Sequence, residues 1–411
     1  MVVFFLAGSS APTPLYALYQ AEWGFSPIVT AVVFGVYAIA VLVALLLVGS
    51  LSDYIGRRPV LFTSAVVQAA TMVLFANTNG VAELAAARIV QGLATGAAVS
   101  AVGAGLIDID RVRGTIANAI APMTGTAVGA LGSALLVRYL PAPTHLVYYV
   151  LAVLFIIQAV GVVFMAETVT PKAGALASLR IDVDLPPDVR GAFLRVAPAL
   201  IAVWALAGFY ASLGPALVHG VVGSSAVVLG GSALFVLAGS AALTVPTLRS
   251  AAPRRTMRLG TCLLIGGVAI TLAGVAALSS VIFFIGTAVA GAGFGAGFQG
   301  GIRTVLPLAK PDERSGVLSV LYLVSYLGLG VPSVAAGVLV AHGERVATAA
   351  TQYGVVVMAL AGLALAGTFA RAAAPTRPNA TTAAERGVPN ARSVVGVDVC
   401  ADALCGSAEA H

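Results

Sequence analysis

The chain has 411 residues, of which 59% are apolar and only 9% are charged, and its mean hydropathy is +1.01. Soluble domains carry about 25% charged residues, so this composition excludes a soluble enzyme, and three cysteines give no disulfide framework. The net charge of +6 does not indicate nucleic-acid binding, because the basic residues are spread over short turns and form no single patch. The sequence therefore predicts a polytopic membrane protein.

Twelve apolar blocks follow one another along the chain. A helix of about twenty residues crosses the roughly 30 Å of hydrocarbon in a bilayer. Backbone groups in lipid must bond within their own segment, so each block is predicted to be a helix. The blocks are 2–19, 28–50, 59–77, 81–106, 114–137, 146–166, 192–217, 224–248, 258–278, 281–303, 315–341 and 347–369.

The longest connection follows the sixth block and divides the chain into two groups of six. We expect an N-terminal bundle at 1–166, a cytoplasmic linker at 167–191 and a C-terminal bundle at 192–370. Residues 371–411 are rich in Ala, Pro, Thr and Gly, which predicts a disordered cytoplasmic tail. The linker carries Lys172, Arg180, Asp182, Asp184, Asp188 and Arg190.

Positively charged residues predict the orientation, because cytoplasmic loops carry an excess of Lys and Arg. Of the 22 Lys and Arg residues, 19 lie in the linker, the tail and the turns on the same side as both termini. Both termini are therefore expected in the cytoplasm. The excess of Arg over Lys and the abundant Ala, Gly and Val favour the plasma membrane of a bacterium as the location.

The two halves of the chain echo each other at corresponding turns. Residues 49–61 follow the second block and 246–258 follow the eighth, with a pair of arginines in each. Residues 110–114 and 312–316, after the fourth and tenth blocks, also match. The recurrence favours an internal duplication, a common origin of transporter folds.

The turn after the second block carries the most specific motif of the chain. Its residues are Gly49, Leu51, Ser52, Asp53, Gly56, Arg57 and Arg58. It resembles the Gly-x-Leu-Ser/Ala-Asp-basic-x-Gly-Arg-basic pattern of the major facilitator superfamily, from which it departs at Tyr54. The resemblance covers residues 1 to about 370. It implies an all-α membrane protein with twelve transmembrane helices in two pseudo-symmetric six-helix bundles, and secondary transport by alternating access.

Within this resemblance the charged turn is expected to act as a gate, since weak ion pairs can form and break between the halves. Asp108, Asp110 and Glu167 are the expected partners of the two arginines, and the amino end of the eleventh helix near Ser315 and Gly316 is a second partner for Asp53. Residues 166–171 resemble the family's Pro-Glu-Thr signature, with alanine replacing the proline. The candidate gating residues are Gly49, Asp53, Gly56, Arg57, Arg58, Asp108, Arg113 and Glu167.

A second motif, residues 88–92, resembles the family's Arg-x-x-Gln-Gly, whose arginine is linked to proton coupling in antiporters. An arginine within a span is costly and is a functional candidate by default. The alternative is that Arg88 bonds backbone carbonyls of the first helix where Pro12 and Pro14 open it. Glu22 and Glu83 are candidate proton carriers, although placement at the membrane interface also explains both. No carboxylate lies deep in any predicted span.

Two glycine patterns predict helix packing. Gly125, Gly129 and Gly132 partly match an antiporter motif of the fifth helix and suit close helix approach. Residues 295–300 fit the dinucleotide fingerprint, but they lie inside an apolar span with no preceding strand, so no nucleotide is expected. No cluster of His, Cys and acidic residues predicts a metal site, so we expect no cofactor and no metal.

Polar and aromatic residues near mid-span describe a mostly uncharged cavity. The candidates are Tyr16, Tyr37, Gln91, Asn118, Trp204, Tyr210, Gln299, Tyr322 and Tyr326. The sequence predicts a monomeric transporter, not an enzyme, with a small-molecule substrate, protons and the bilayer as partners and no nucleic acid. Proton-coupled efflux of small organic or amphipathic compounds is favoured. The alternatives are a metabolite importer or uniporter and, with less support, a non-transporting membrane sensor.

Overall fold

A computed structural model of the protein describes residues 1–176, 178–179, 183–222, 227–310 and 313–369. The predicted tail, 371–411, and Arg180, Asp182 and Asp312 lie outside these residues. The described residues contain twelve helices long and apolar enough to cross a membrane, which confirms the predicted number of spans. These spans are Val2–Trp23, Pro27–Val48, Arg57–Ala76, Val81–Ile109, Val112–Tyr139, Leu146–Val163, Pro187–Ser212, Val228–Thr247, Pro253–Ala276, Ser280–Leu308, Arg314–Ala341 and Val346–Phe369.

Successive spans run in opposite directions, so the turns alternate between two ends of the molecule. We call the end that carries the turn at 49–56 the motif end, and the end that carries the turn at 24–26 the opposite end. The seventh span begins at Pro187, earlier than predicted. Proline suits the first turn of a helix because the backbone N–H that it lacks would have no helical partner there. The connection between the halves is therefore shorter than the sequence suggested.

The first span is broken near its middle. One helix ends at Ser10, a 3₁₀ turn covers Thr13–Leu15, and a second helix begins at Tyr16. The break follows from Pro12 and Pro14, since proline has no N–H to donate to the carbonyl four residues earlier. The carbonyl oxygens left without a helical partner face the neighbouring spans.

Glycines allow the helices to pack closely, as their spacing predicts. In the fifth span Gly125 and Gly129 lie against the backbone of Val3 and Ala7 of the first span, whereas Gly132 has open space around its Cα. The tenth span packs on the eighth through Gly291, which lies against Leu237. The glycines of residues 291–300 therefore serve helix contacts in an uninterrupted helix, Ser280–Val305.

The two halves contact each other at the opposite end through small residues. A Cβ added to Gly337 of the eleventh span would lie 2.6 Å from the Cβ of Ala31 of the second span. A Cβ added to Gly231 of the eighth span would lie equally close to the carbonyl oxygen of Ala130 of the fifth. We call these two contacts the small-residue seal. The seal contains no charged side chain, and its glycines bring the helix backbones together.

Candidate functional site

A central cavity of about 650 Å³ lies between the two halves. Both halves contribute to its walls, from mid-span residues such as Tyr37 and Trp204 to motif-end residues such as Ser50, Asp53 and Ser315. The lining thus continues from the middle of the spans to the motif end, while the small-residue seal lies beyond it at the opposite end. The volume falls within the range of small-molecule sites, about 300–1,000 Å³.

The wall formed by the C-terminal half is aromatic. The ring of Trp204 lies 5.3 Å from that of Phe298, 5.9 Å from that of Phe294 and 5.3 Å from that of Tyr326, measured between centroids. Phe294 and Phe298 are one helical turn apart, so both face the cavity. Tyr322 lines the same wall. Such a wall offers flat apolar surface to a ring-bearing molecule.

The wall formed by the N-terminal half carries small polar side chains. Ser9, Ser10 and Thr13 come from the broken first span, and Ser100 and Asn118 come from the fourth and fifth spans. The hydroxyl groups of the first span lie at the cavity because the proline break turns the chain there. The cavity therefore has one hydrogen-bonding wall and one aromatic wall.

Four of the predicted cavity residues do not line it. Tyr16 and Gln91 are buried within the N-terminal half, where both bond to Arg88. The hydroxyl of Tyr210 bonds to that of Thr287 at 2.8 Å, and the amide of Gln299 donates to the carbonyl of Val245 at 3.1 Å. Each of the four side chains has at least one hydrogen-bond partner inside its own bundle. The cavity is lined by the other five predicted residues, Tyr37, Asn118, Trp204, Tyr322 and Tyr326.

Arg88 is completely buried in the N-terminal half. Its guanidinium donates to the hydroxyl of Tyr16 at 2.6 and 3.0 Å, to the carbonyl of Ser9 at 2.9 Å and to Oε1 of Gln91 at 2.6 Å. Gln91 in turn donates to the carbonyl of Gly8 at 3.0 Å. Pro12 cannot supply the helical bond to Gly8, so Gln91 replaces it. The geometry is the one expected if Arg88 bonds the carbonyls of an opened first helix.

The two candidate proton carriers lie apart from this network. Glu22 and Glu83 are exposed at the opposite end, and Glu83 accepts a hydrogen bond from the backbone N–H of Asn79 at 2.8 Å. None of the ion pairs in the described part of the chain includes Arg88. The structure therefore does not bring the predicted arginine and carboxylates together.

The charged turn at the motif end centres on Arg57, which is 5% exposed. Its guanidinium pairs with Asp53 at 2.5 Å and with Asp108 at 3.2 Å, and it donates to the hydroxyl of Ser52 at 2.6 Å. Thr168 donates to the same oxygen of Asp108 at 3.1 Å. The cluster thus joins residues of the turn itself with residues of the third span, the fourth span and the linker.

The side-chain carboxylate of Glu167 binds backbone N–H groups of this turn. The carboxylate accepts from the N–H groups of Arg57 and Arg58, each at 2.9 Å, at the amino end of the third span. Gly56, with φ of +99°, makes room for it, because a Cβ there would lie 2.5 Å from the carboxylate. Desolvation raises the pKa of Glu167, but the N–H donors of residues 57, 58, 168 and 169 outweigh it, and the net pKa is below its usual value.

The other predicted gating residues take separate partners. The guanidinium of Arg58 donates to the carbonyl of Val163, and the exposed Arg113 lies 3.8 Å from Asp110. Asp110 accepts from the backbone N–H groups of residues 112 and 113, so it caps the fifth span. Glu167 therefore contacts the backbone N–H groups of Arg57 and Arg58, whereas the sequence suggested contacts with their guanidinium groups.

Tyr54, where the motif departs from the family pattern, has a cationic neighbour. The ammonium of Lys172 lies 4.5 Å from the centre of the Tyr54 ring, and the Lys172 N–H donates to the carbonyl of Tyr54 at 2.9 Å. Further along the linker, the carbonyl of Ser178 accepts from the hydroxyl of Ser50 at 2.9 Å. The linker thereby supplies the positive charge that the turn lacks and reaches the cavity mouth.

Sequence reasoning missed the hydroxyl groups of the first span and three aromatic residues of the cavity lining, Phe34, Phe294 and Phe298. The signal for Ser9, Ser10 and Thr13 was the pair of prolines beside them, since a broken helix exposes side chains that a continuous one would bury. The signal for Phe294 and Phe298 was their spacing of one helical turn, which the glycines around them obscured. Across the described residues, no group of three or more His, Cys, Asp and Glu is placed to hold a metal ion.

Known proteins resemble this chain both in sequence pattern and in fold. The family model described as Major Facilitator Superfamily matches residues 1–276. A mutant form of the nucleoside transporter NupG is similar in structure, with a TM-score of 0.65 and 16% identity, covering 90% of this chain and 96% of that one. A bacterial homologue of the human lysosomal transporter Spinster, in an inward-facing and occupied conformation, gives a TM-score of 0.66 and 13% identity, covering 90% and 94%. No curated protein matches the sequence.

Twelve spans in two halves around one central cavity define a membrane transporter. The resemblance seen in the charged turn is confirmed by the family match, and the structural neighbours show the same fold. The chain belongs to the Major Facilitator Superfamily.

Proposed function

We propose that the protein exports small amphipathic organic compounds across the plasma membrane in exchange for protons, acting as a monomer by alternating access. The observation that carries the proposal is the central cavity, which reaches the motif end and is separated from the opposite end by the small-residue seal. Transport then requires the seal to open while the charged turn closes.

The walls of the cavity favour ring-bearing substrates with polar substituents. A ring can stack on Trp204 and Phe298, while hydroxyl or amide groups bond to Ser10 and Asn118 on the facing wall. Asp53 is the one carboxylate among the described lining residues, and it is already paired with Arg57. The chemistry of the walls therefore suits amphipathic organic molecules with at most one charge better than phosphates or dianions.

We place the motif end in the cytoplasm. The arginines at this end include Arg57, Arg58, Arg254, Arg258 and Arg303, in agreement with the excess of positive charge on cytoplasmic loops. In this orientation the cavity is open to the cytoplasm, from which an exporter collects its substrate.

Coupling to protons rests on the buried network around Arg88. The network meets the cavity at Ser9, whose hydroxyl accepts from that of Tyr37 at 2.7 Å. A change in protonation or hydrogen bonding beside Arg88 would therefore alter the hydrogen bonding of Tyr37, whose ring lines the cavity. Substrate and proton would each bias the two conformations by differential affinity.

A uniporter or importer without a proton step is the second candidate. It is favoured because Arg88 forms no ion pair with a carboxylate of the described residues, so no acid that could carry a proton contacts the arginine. One structural neighbour is a nucleoside transporter, so nucleosides belong among the compounds tested.

Proteoliposomes with an imposed pH gradient separate the two candidates. A panel of aromatic amphipathic compounds, including adenosine and uridine, is offered with and without the gradient. Export coupled to protons predicts movement against a concentration gradient that stops when an ionophore collapses the pH difference. Movement that ignores the pH difference supports the uniporter, and absence of movement for the whole panel contradicts both.

A further inference from the structure

The charge of Arg88 has no counter-ion among the described residues. Guanidinium groups in proteins stay protonated, and this one is wholly buried with only neutral partners, namely two carbonyl-type oxygens and the hydroxyl of Tyr16. Three aromatic rings surround it at 5.2–5.7 Å, those of Tyr16, Tyr37 and Phe75. Ring faces and neutral oxygens stabilise a cation locally but carry no net negative charge. The positive field of Arg88 therefore extends beyond its own cage.

The cavity lies within reach of this field. The ring of Tyr37 lines the cavity, and its centre is 5.2 Å from the guanidinium carbon of Arg88. Ser9 also lines the cavity and binds Arg88 through its carbonyl. A ligand charge beside this ring lies farther from Arg88 than the ring itself does, and at that separation the two charges interact substantially where little water lies between them. A bound cation would be repelled by Arg88 and a bound anion attracted.

Two unpartnered hydrogen-bonding groups belong to residues that line the same cavity. Thr13 is fully buried, lines the cavity and has no partner for its hydroxyl, and Nε1 of Trp204 is likewise buried without a partner. Indole N–H is a donor only, so its missing partner is an acceptor. One donor lies on the polar wall and the other on the aromatic wall. Both atoms are closed off from solvent in this conformation, so a ligand reaches them only after their side chains move, and it must then present acceptor atoms beside its ring.

From these observations we infer that the cavity selects by charge, binding aromatic monocarboxylates in preference to their neutral analogues and excluding aromatic cations. Arg88 is the specificity-determining residue and acts through its field, without touching the ligand. The inference rests on the proposed function, because it assigns a substrate class to the same cavity. It narrows that function, since an exporter of lipophilic cations would need the opposite field.

Binding can be read from Trp204, because the protein has only one other tryptophan, Trp23. In a Trp23→Phe background in lipid nanodiscs, quenching of Trp204 is measured with three ligands of one ring: 4-nitrobenzoate, 4-nitrobenzamide and 4-nitrobenzylammonium. The anion is expected to bind most tightly and the cation most weakly, with about tenfold or more between their affinities. Equal affinities, tighter binding of the cation, or no quenching by any of the three would overturn the inference.

Variants then test whether Arg88 sets this order of ligand affinities. Arg88→Gln should bring the affinities for anion and cation within about twofold, and Arg88→Lys, which keeps the charge, should preserve the order. Arg303→Gln removes an arginine that bonds Leu248 and Ala251 outside the cavity lining, and should change nothing. If Arg88→Gln does not fold, Thr13→Val replaces it and should weaken the anion selectively. Transport of an organic cation in the pH-gradient assay would overturn the inference and leave the proposed transport intact.

Discussion

The two halves tie their third helix to the end of their sixth helix with opposite polarity. In the N-terminal half the carboxylate of Glu167 binds the N–H groups at the start of the third span. In the C-terminal half Arg254 and Arg258 donate to the carbonyl of Thr368, at the end of the twelfth span, at 3.1 and 2.9 Å. Both arrangements match the helix dipole, since anions favour amino ends and cations favour carboxyl ends.

The difference shows that the two six-helix halves carry different functional groups. The N-terminal half holds the buried charge of Arg88 and the carboxylates paired with Arg57, whereas the C-terminal half lines the cavity with Trp204, Phe294 and Phe298. The shared element is the backbone packing, in which glycines set the helix contacts. Substitutions of polar residues should therefore act differently in the two halves, whereas substitutions of packed glycines should destabilise either half.

The largest effect is expected at Arg88. Arg88→Met leaves the hydroxyl of Tyr16, the carbonyl of Ser9 and Gln91 without their partner, and each unsatisfied buried group costs about 1–3 kcal/mol. The unfolding temperature in detergent should fall markedly and transport should be lost. Arg303→Met in the C-terminal half is the matched comparison, and equal destabilisation by both would break the proposed division between the halves.

Substitution of a packed glycine should destabilise either half, by an amount that follows how closely the neighbouring helix lies. Gly129 lies against the backbone of Ala7, and Gly328 lies close to Ile201, so in each half the fifth helix meets the first through a glycine. Gly129→Ala should destabilise by about 1–3 kcal/mol through overpacking, and Gly328→Ala by less, because its added Cβ would lie 3.1 Å from Ile201.

Gly132→Ala is the control for these variants, since the added Cβ meets open space. Alanine is the better helix former by about 0.5–1 kcal/mol, so this variant should be neutral or slightly more stable. Thermal unfolding of the three variants in one detergent measures the order. A Gly132→Ala variant as unstable as Gly129→Ala would refute the packing account.

The charged turn should affect rate more than stability. Asp53→Asn removes one of the two carboxylates of Arg57 but leaves Asp108 and the hydroxyl of Ser52 as its partners, so transport should slow several-fold with normal abundance in the membrane. Arg254→Gln, whose bond to Thr368 stays within the C-terminal half, should leave the rate nearly unchanged. Unchanged turnover in Asp53→Asn would remove Asp53 from the gate.

The smallest effect concerns Glu167 and pH. Its pKa is lowered in the folded protein, so its contribution is present above the usual value of 4.5 and is lost as the pH falls through the lowered value. A carboxylate at a helix amino end contributes about 0.3–1 kcal/mol. Glu167→Gln should lower stability slightly at pH 7 and by less at pH 3, because the difference shrinks as the pH falls through the lowered pKa of Glu167. Equal differences from the wild type at both pH values would contradict this role.

The sequence predicts the fold well because each signal is local. The number of spans follows from apolar length, and the break in the first span follows from Pro12 and Pro14. The charged cluster at the turn 49–58 can be predicted because Asp53, Gly56 and Arg57 lie close together in the chain.

The cavity is harder to predict because its lining depends on how helices rotate about their axes. Tyr210 and Gln299 have the composition of cavity residues, yet they turn inward to Thr287 and the carbonyl of Val245. Likewise Glu22 and Glu83 share a half with Arg88, but helix direction places them at its exposed end. Such partners are distant in sequence, and only the assembled helices reveal them.

Alternating access requires the small-residue seal to open, and a cross-link tests this directly. In a background with Cys262, Cys400 and Cys405 replaced by serine, Ala31→Cys and Gly337→Cys join the halves, while Gly354→Cys and Val268→Cys join two helices of the C-terminal half as a control. Uptake of the best-transported panel compound is measured after oxidation and again after reduction. The account predicts that the first cross-link stops transport, that reduction restores it, and that the control transports throughout. Full transport with the seal cross-linked would contradict the account.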